Sequence, residues 1–386
     1  MKILITGAGM IGSIVAMELC RENDVTLFDG SDAALKRVSS KEKNIELIQG
    51  SVFDKKKLEG LISTSDVVVI ALPGNLAVSV AESALKQRKA VFDISSIPND
   101  VLLGKIRELA DENKTLYVPK IGIAPGMTNF LTGRGCVGLD FVKDVKIYVG
   151  GIPQKKESPM GYKTVFCLEE TLQEYLDPAM VIENGNKKYV EAMSCLHNVD
   201  FEGLDGLEAF LTDGLATLAE TIPAENMSEF TIRWPGHIQQ IKNLIALGMF
   251  DKNEDDFEGM KITPREYLIS HLAPLWKMEP AKGDKDLTLF RIVVKGTKDG
   301  AEVESKWETV DRYDEERNIT SMGKCTAFSC TSFIRAWMKS LFNNNGFVFP
   351  EKLAVNNSLY RYVMESMAYH GVCFTEQHTT LKRYRV

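Results

Sequence analysis

The sequence predicts an α/β protein, a doubly wound parallel sheet of the Rossmann type followed by an α+β second domain. Three observations predict it. Short β-branched and apolar runs alternate with helical patterns from residue 2 to residue 118. A Gly-x-Gly-x-x-Gly hexapeptide, Gly7 to Gly12, lies between the first run and the first helical pattern. Past residue 125 the alternation gives way to strand pairs mixed with longer helices.

The strand candidates of the first part cover residues 2–6, 25–28, 45–48, 66–72, 90–94 and 115–118. Their richness in Val, Ile, Leu and Phe suits strands covered on both faces. Helical patterns cover 10–22, 32–39, 55–62, 76–87 and 99–113, giving doubly wound order. Further on, 145–149 reads as a strand, 168–175 as a helix and 180–191 as two strands turned near Asn184-Gly185. Helices are expected at 212–221, 237–247 and 264–276. The last has Thr263 as N-cap and Glu266 three residues on, a capping box. A hairpin of 287–295 and 302–310 turns at Lys298-Asp299-Gly300, and a helix over 326–342 leads to a strand-like run at 372–375. No hinge-like linker follows the second domain.

Composition narrows the class. Of 386 residues, 44% are hydrophobic and 26% charged, which excludes a disordered or collagenous chain. A net charge of −7 offers no global basic footprint for nucleic acid or anionic lipid. The acids gather at 251–258, read as a solvated loop. Seven scattered cysteines without a Cys-x-x-Cys pair argue against a disulfide framework or a metal site, and for a reducing compartment. Met1-Lys2 runs directly into the first strand with no signal-peptide pattern. The most apolar run, 67–81, is broken by Pro73-Gly74-Asn75 and is shorter than the ~18 residues a bilayer span needs. A cytoplasmic protein without membrane or nucleic-acid partners is expected.

The glycine loop has the context its chemistry needs. Gly7 permits a tight turn, Gly9 lets the backbone approach a pyrophosphate, and Gly12 permits close strand–helix packing. Met10 and Ile11 begin the helix whose free N–H groups and positive dipole end face the phosphates. Asp29 ends the second strand, where a carboxylate accepts hydrogen bonds from ribose hydroxyls and repels a 2′-phosphate. That favours NAD over NADP, although Lys36 and Arg37 follow nearby. Leu72-Pro73 and Ser95-Ser96 close the fourth and fifth strands, at the carboxyl ends where such sheets bind ligands. Leu72, Pro73 and Ser95 are read as cofactor contacts and Ser96 as a substrate contact; plain turn chemistry is the competing reading.

Further on, three segments stand out: Gly122-Ile123-Ala124-Pro125-Gly126-Met127-Thr128-Asn129, Leu207 to Leu215, and Phe230-Thr231-Ile232-Arg233-Trp234-Pro235-Gly236-His237. With the glycine fingerprint and Val149-Gly150-Gly151-Ile152-Pro153, they resemble the saccharopine dehydrogenase-like family, and within it the L-lysine 6-dehydrogenases. The resemblance runs in order over nearly the whole chain. It implies a dinucleotide-binding domain of 1–124 plus 322–386 with an α+β substrate-binding domain of 125–321 inserted into it, and, with no hinge-like linker after the second domain, the chain past residue 321 is expected on the first. It also implies oxidation or reduction of a carbon–nitrogen bond on a lysine-derived substrate by a homodimer or higher homo-oligomer. Glutamate-forming members carry Asp where this sequence has Ala124 and Cys where it has Val149. The loss of those polar groups favours a smaller amino acid.

Dehydrogenating an amine requires an anchored substrate and a neutral amine at the moment of transfer. Arg233 is the expected carboxylate anchor, because a guanidinium binds a carboxylate bidentately; a structural ion pair is the alternative. Thr212 is read as a substrate contact. Asp213 is either an amine contact or the N-cap of the 212–221 helix, and Glu208 is a weaker candidate. His237 suits proton exchange if its pKa stays near the ordinary 6.5. Lys120, at the end of the sixth strand, is a candidate base if desolvated. The expected activity is NAD-dependent oxidative deamination of lysine, or a lysine-derived amino acid, at the ε-amine to the semialdehyde. The alternatives are a saccharopine or carboxynorspermidine-type dehydrogenase using NADP(H), and a non-catalytic dinucleotide-sensing protein.

Overall fold

Six apolar runs of the first part form one parallel sheet in the computed structural model, which describes residues 1–97, 100–156, 159–165, 167–257 and 259–382. The strands are β1 (Lys2–Thr6), β2 (Asp24–Asp29), β3 (Ile45–Gln49), β4 (Val67–Ile70), β5 (Ala90–Asp93) and β6 (Tyr117–Val118). Their order is β3-β2-β1-β4-β5-β6, with every neighbouring pair parallel. The chain therefore reverses direction across the sheet between β1 and β4, where open α/β sheets bind ligands. Helices α1 (Met10–Leu19), α2 (Asp32–Ser39), α3 (Lys55–Thr64), α4 (Gly74–Lys86) and α5 (Asp100–Glu112) connect the strands. The start expected for α5 at Asn99 lies outside the described residues. Leu4, Val68, Val80, Leu85, Val91 and Ile106 share one buried cluster, which joins α4 and α5 to the sheet.

The chain divides into two compact units, Met1–Val137 with Gly323–Cys373, and Gly138–Met322 with Phe374–Val386. In the first, the returning segment is tied to the Rossmann part by particular contacts. Arg335 donates to the Glu18 carboxylate at 2.8 Å and to Glu22 at 2.5 Å, and Ser329 donates to the Gly122 carbonyl at 2.8 Å. Phe333 meets Phe130 edge-to-face at 4.9 Å. The residues from Phe374 onward group with the second unit, not with the first as the sequence suggested.

That second unit is built on a mixed sheet. Its strands are β7 (Phe141–Pro153), β8 (Ala179–Glu183), β9 (Asn186–Val190), β10 (His197–Phe201), β11 (Leu204–Leu211), β12 (Ala224–Arg233), and, after the small hairpin β13 (Asp255–Phe257) and β14 (Met260–Ile262), β15 (Asp286–Lys298), β16 (Ala301–Arg312) and β17 (Thr375–Leu381). The order is β10-β11-β12-β7-β15-β16-β17, and β8 joins β12 to β9. Three helices, α6 (Leu168–Glu174), α7 (His237–Ala246) and α8 (Pro264–Trp276), bury Leu172, Ile238, Ile241, Leu268 and Trp276 in one cluster with Phe210. The capping box of α8 is present: Thr263 Oγ1 accepts the Glu266 N–H at 3.1 Å and Glu266 accepts the Thr263 N–H at 3.2 Å.

Several expectations change. The 212–221 helix is absent but for the short turn Leu218–Thr221; the preceding apolar run is β11, an interior strand held by β10 and β12. The acidic stretch 251–258 contributes β13 instead of being loop throughout. The helix expected at 326–342 spans Ser321–Met338, and it starts early because the buried Asp286 carboxylate accepts the Ser321 and Met322 N–H groups at 2.7 and 3.0 Å. The strand-like run 372–375 precedes the real strand, β17. The sequence also hid the helix Met127–Cys136. Gly133 looks like a breaker there, yet a Cβ on it would stand 2.3 Å from the Glu351 carbonyl oxygen, so its role is close approach.

Candidate functional site

The glycine loop in the first unit shows three different requirements. Gly7 holds φ +101°, and a Cβ there would lie 2.2 Å from the Ala71 carbonyl oxygen. Gly12 is closed in as tightly, with a Cβ falling 1.9 Å from the Gly7 carbonyl oxygen. Gly9 is the opposite case: a Cβ there would meet nothing within 4 Å. No contact within the chain requires a glycine there, which leaves the backbone open to close approach. Gly9 caps α1 without a side-chain hydrogen bond, and Met10 and Ile11 follow in a first turn that carries no acidic residue. That turn is electrostatically open to a phosphate.

Asp29 stands at the end of β2 facing this turn. Its carboxylate accepts the Ala8 N–H at 2.6 Å and the Ser31 N–H at 2.6 Å, which fixes both oxygens while leaving each a second lone pair. Lys36, the base nearest in sequence, is an exposed partner of Asp32 at 2.5 Å. Leu72 lies against Gly7, Pro73 caps α4, and Gly74 packs on the backbone of Ser96, so the turns after β4 and β5 are joined. Ser96 is exposed. Ser95 is buried, and its hydroxyl lowers the pKa of the neighbouring Asp93 carboxyl without reaching hydrogen-bond geometry, which leaves Oγ unpartnered. An open backbone at Gly9 and a buried hydroxyl at the same sheet edge fit a dinucleotide. Lys120 follows β6 with φ +51° and is half-buried.

In the second unit Arg233 ends β12 and is 2% exposed. Its Nε–H donates to the Tyr175 hydroxyl at 3.2 Å, one terminal nitrogen donates to the Ile232 carbonyl at 3.0 Å, and the other faces Glu174 at 3.4 Å. The guanidinium carbon lies 4.9 Å from the centre of the Tyr162 ring. These bonds use three of the five N–H groups a guanidinium carries, so one hydrogen on each terminal nitrogen is unspent among the described residues. Glu174 is the open member of the cluster, its side chain 35% exposed. Burial of its carboxyl nonetheless pushes the pKa up to about 7 against the pull of Arg233.

His237 opens α7 behind Gly236, which holds φ +85°, and its Nδ1–H donates to the Met160 carbonyl at 2.9 Å. That leaves Nε2 to accept the Tyr175 hydroxyl at 2.8 Å. A directed chain results, from the Arg233 Nε–H through Tyr175 to His237 and the Met160 carbonyl. Burial, assisted by the Arg233 charge, lowers the histidine pKa to about 3. The titration near 6.5 on which its role as proton exchanger rested is therefore lost. Asp213 is exposed and follows a strand, so it is not the N-cap of a long helix. Thr212 is buried, its hydroxyl paired with that of Thr231 at 2.9 Å, and Glu208 accepts the Gly236 N–H at 3.0 Å, bracing the turn after Arg233. Sequence reasoning missed Tyr162, Glu174 and Tyr175, which come to Arg233 from distant segments. It also passed over Asp93, although an acid ending an apolar strand is a usable signal.

A parallel sheet in 3-2-1-4-5-6 order with this glycine cradle and acidic strand end defines the class of Rossmann-fold oxidoreductases. Residues 3–118 match the saccharopine dehydrogenase NADP binding domain, and residues 122–372 match the saccharopine dehydrogenase C-terminal domain. The chain belongs to the saccharopine dehydrogenase family. A mouse protein named alpha-aminoadipic semialdehyde synthase, mitochondrial, is 24% identical over 270 residues, covering 65% of this chain. A saccharopine dehydrogenase (NADP(+), L-glutamate-forming) of Pyricularia oryzae is 21% identical over 241 residues, covering 58% of this chain and 52% of its own. The chain spans only 28% of the length of the mouse relative. The solved structure of apo saccharopine dehydrogenase (L-Glu forming) from Saccharomyces cerevisiae shares the fold, with a TM-score of 0.82 at 16% identity over 98% of this chain and 99% of that one. Among the described residues no helix is long and apolar enough to cross a membrane, and no group of three or more His, Cys, Asp or Glu is placed to hold a metal ion.

Proposed function

We propose that the chain is an NAD-dependent dehydrogenase that deaminates lysine, or an amino acid derived from it, at the ε-amine. The observation that carries the reading is the joint presence, in a chain of this family, of a dinucleotide-type glycine loop and a buried arginine with two unspent donors. A nicotinamide cofactor held at the Gly7–Gly12 loop and Asp29 would supply the hydride acceptor for the carbon that bears the amine. The chain supplies the rest. Lys120, neutral, takes the proton that leaves the substrate ammonium, so that the nitrogen lone pair is free when the carbon–hydrogen bond breaks. The resulting iminium takes up water and releases ammonia to give the semialdehyde. Arg233 binds the carboxylate through its terminal nitrogens, with Glu174 giving way to it. Ser96, exposed beside the turn after β4, is retained as a substrate contact. The apolar Ala124 and Val149 support a substrate with fewer carboxylates than saccharopine. Seven free cysteines fit a reducing compartment such as the cytoplasm.

A panel of amines and amino acids, each offered with NAD and with NADP and followed by absorbance of the reduced cofactor, tests this. Lysine with NAD is the expected pair. Turnover of saccharopine with NADP alone would replace the reading with the second one, which the NADP binding domain named for residues 3–118 favours.

Cofactor choice rests on Asp29. Asp29→Ala removes a charged acceptor from the ribose and the repulsion from a 2′-phosphate. NAD affinity should fall roughly 10- to 100-fold, the equivalent of a charged hydrogen bond. NADP should lose less, so the ratio of the two dissociation constants moves toward one. A wild-type preference for NADP would overturn the assignment.

A further inference from the structure

We propose that Glu174 is a specificity-determining residue of the carboxylate site: it holds one terminal nitrogen of Arg233 until a substrate carboxylate takes its place, and the exchange takes up one proton. The proposal rests on the reading of Arg233 as carboxylate anchor. Glu174 is the last residue of α6, at the negative end of the helix dipole, where a carboxylate is disfavoured. The helix thus gives no reason for an acid at this position; Arg233 does. The contact is nevertheless one that can be given up. Arg233 is fixed without it, by the Tyr175 hydroxyl at 3.2 Å, the Ile232 carbonyl at 3.0 Å and the Tyr162 ring. Glu174 adds a single bond at 3.4 Å, the longest of the three, and not the two-pronged pairing that a carboxylate makes with a guanidinium at its best. Among the described residues its carboxylate has no second hydrogen bond. Its side chain is 35% exposed against 3% for Arg233, so the acid has a way out and the base has none.

Charge decides where the proton goes. The groups facing Glu174 are Arg233 from β12, Tyr162, the adjoining Tyr175, and Glu170 one turn back on α6. His237 of α7 is neutral at physiological pH, and Arg265 of α8 is turned to the Gln173 amide oxygen at 2.9 Å. The cation that Glu174 meets is Arg233. A substrate carboxylate puts two acids on that one guanidinium, with Glu170 close by, and like charges sharing an enclosed site do not all stay ionised. Burial already pushes the Glu174 pKa up to about 7, against the pull of Arg233 and with the push of Glu170. Transfer of Arg233 to the substrate removes the pull, so Glu174 is the group that takes the proton. A neutral carboxamide brings no charge to exchange for Glu174, and the site thereby selects an anion.

The test is calorimetric titration of lysine into the full chain with NADH present, which permits no turnover. It is run at pH 6, 7 and 8 in buffers of different ionisation enthalpy, so that the protons exchanged on binding are counted. The wild type should take up almost none at pH 6, about half a proton at pH 7 and nearly one at pH 8, and its affinity should fall about tenfold from pH 6 to pH 8. Glu174→Gln, which cannot ionise, should take up none over the whole range and bind with a nearly constant affinity. Lysine amide should bind the wild type weakly and without proton uptake. The same uptake in wild type and E174Q, or none in either, overturns the proposal. Release of a proton overturns it too, since Glu174 would then be ionising against the substrate ammonium. If E174Q fails to fold by circular dichroism, Glu174→Ala takes its place; if neither folds, Glu174 belongs to the fold and the proposal is overturned. The underlying reading fails in a different way: lysine affinity that Arg233→Lys leaves unchanged, or no lysine binding to any chain, removes the anchor itself, and this proposal with it.

Discussion

Arg233→Lys is expected to lower kcat/KM for the amino-acid substrate by about 2–5 kcal/mol, roughly 30- to 5,000-fold, although it keeps the charge. The loss follows from shape. An ammonium is a point charge, whereas the guanidinium at the end of β12 serves Tyr175, the Ile232 carbonyl and Glu174 at once and still has a hydrogen on each terminal nitrogen. Cofactor affinity measured by titration should stay nearly constant, because the contact lies among residues of the second unit. The corresponding diamine, which lacks the carboxylate, should be a poor substrate for the wild type and lose little more in the variant. Equal damage to both substrates, with a lowered Tm, would assign Arg233 to the buried ion pair alone.

Gly12→Ala should be severely damaging to the nucleotide half, costing on the order of 3 kcal/mol of stability or more. The added carbon would stand 1.9 Å from the Gly7 carbonyl oxygen, and backbone cannot step aside as a flexible side chain can. Gly9→Ala provides the contrast. Its backbone at φ −67° accepts alanine and the methyl meets nothing, so thermal stability should hardly change while cofactor binding falls. A Gly9→Ala chain that binds the cofactor as the wild type does would show that nothing comes close to that residue.

The nucleotide half was legible because its signals are local. Strand, glycine turn, helix and acidic strand end follow one another between Lys2 and Asp29, and each requirement is met within a few residues. The Arg233 cluster was legible only at its centre. Tyr162 and Tyr175 reach the guanidinium from more than 50 residues upstream, as separations of 58 to Tyr175 and 59 to Glu174 show for the two hydrogen-bonded partners. His237 was read with an ordinary pKa because a sequence does not display enclosure. The 212–221 segment was read as helix because Thr212 and Asp213 suit an N-cap, a local signal; the run before it is the interior strand β11, and helix forms only at Leu218–Thr221.

Three crossings of the chain between its compact units, at 137/138, 322/323 and 373/374, make the two halves inseparable by any single backbone cut. A nick at any one crossing leaves at least one unit divided between the two fragments. During synthesis the first unit waits for helices encoded after residue 323, and the second waits for β17, a short edge strand that pairs with β16 from Glu302 to Glu308. Completion of the second unit thus depends on a strand that follows all of the first unit in the chain, and early folding must tolerate two unfinished sheets or cores at once.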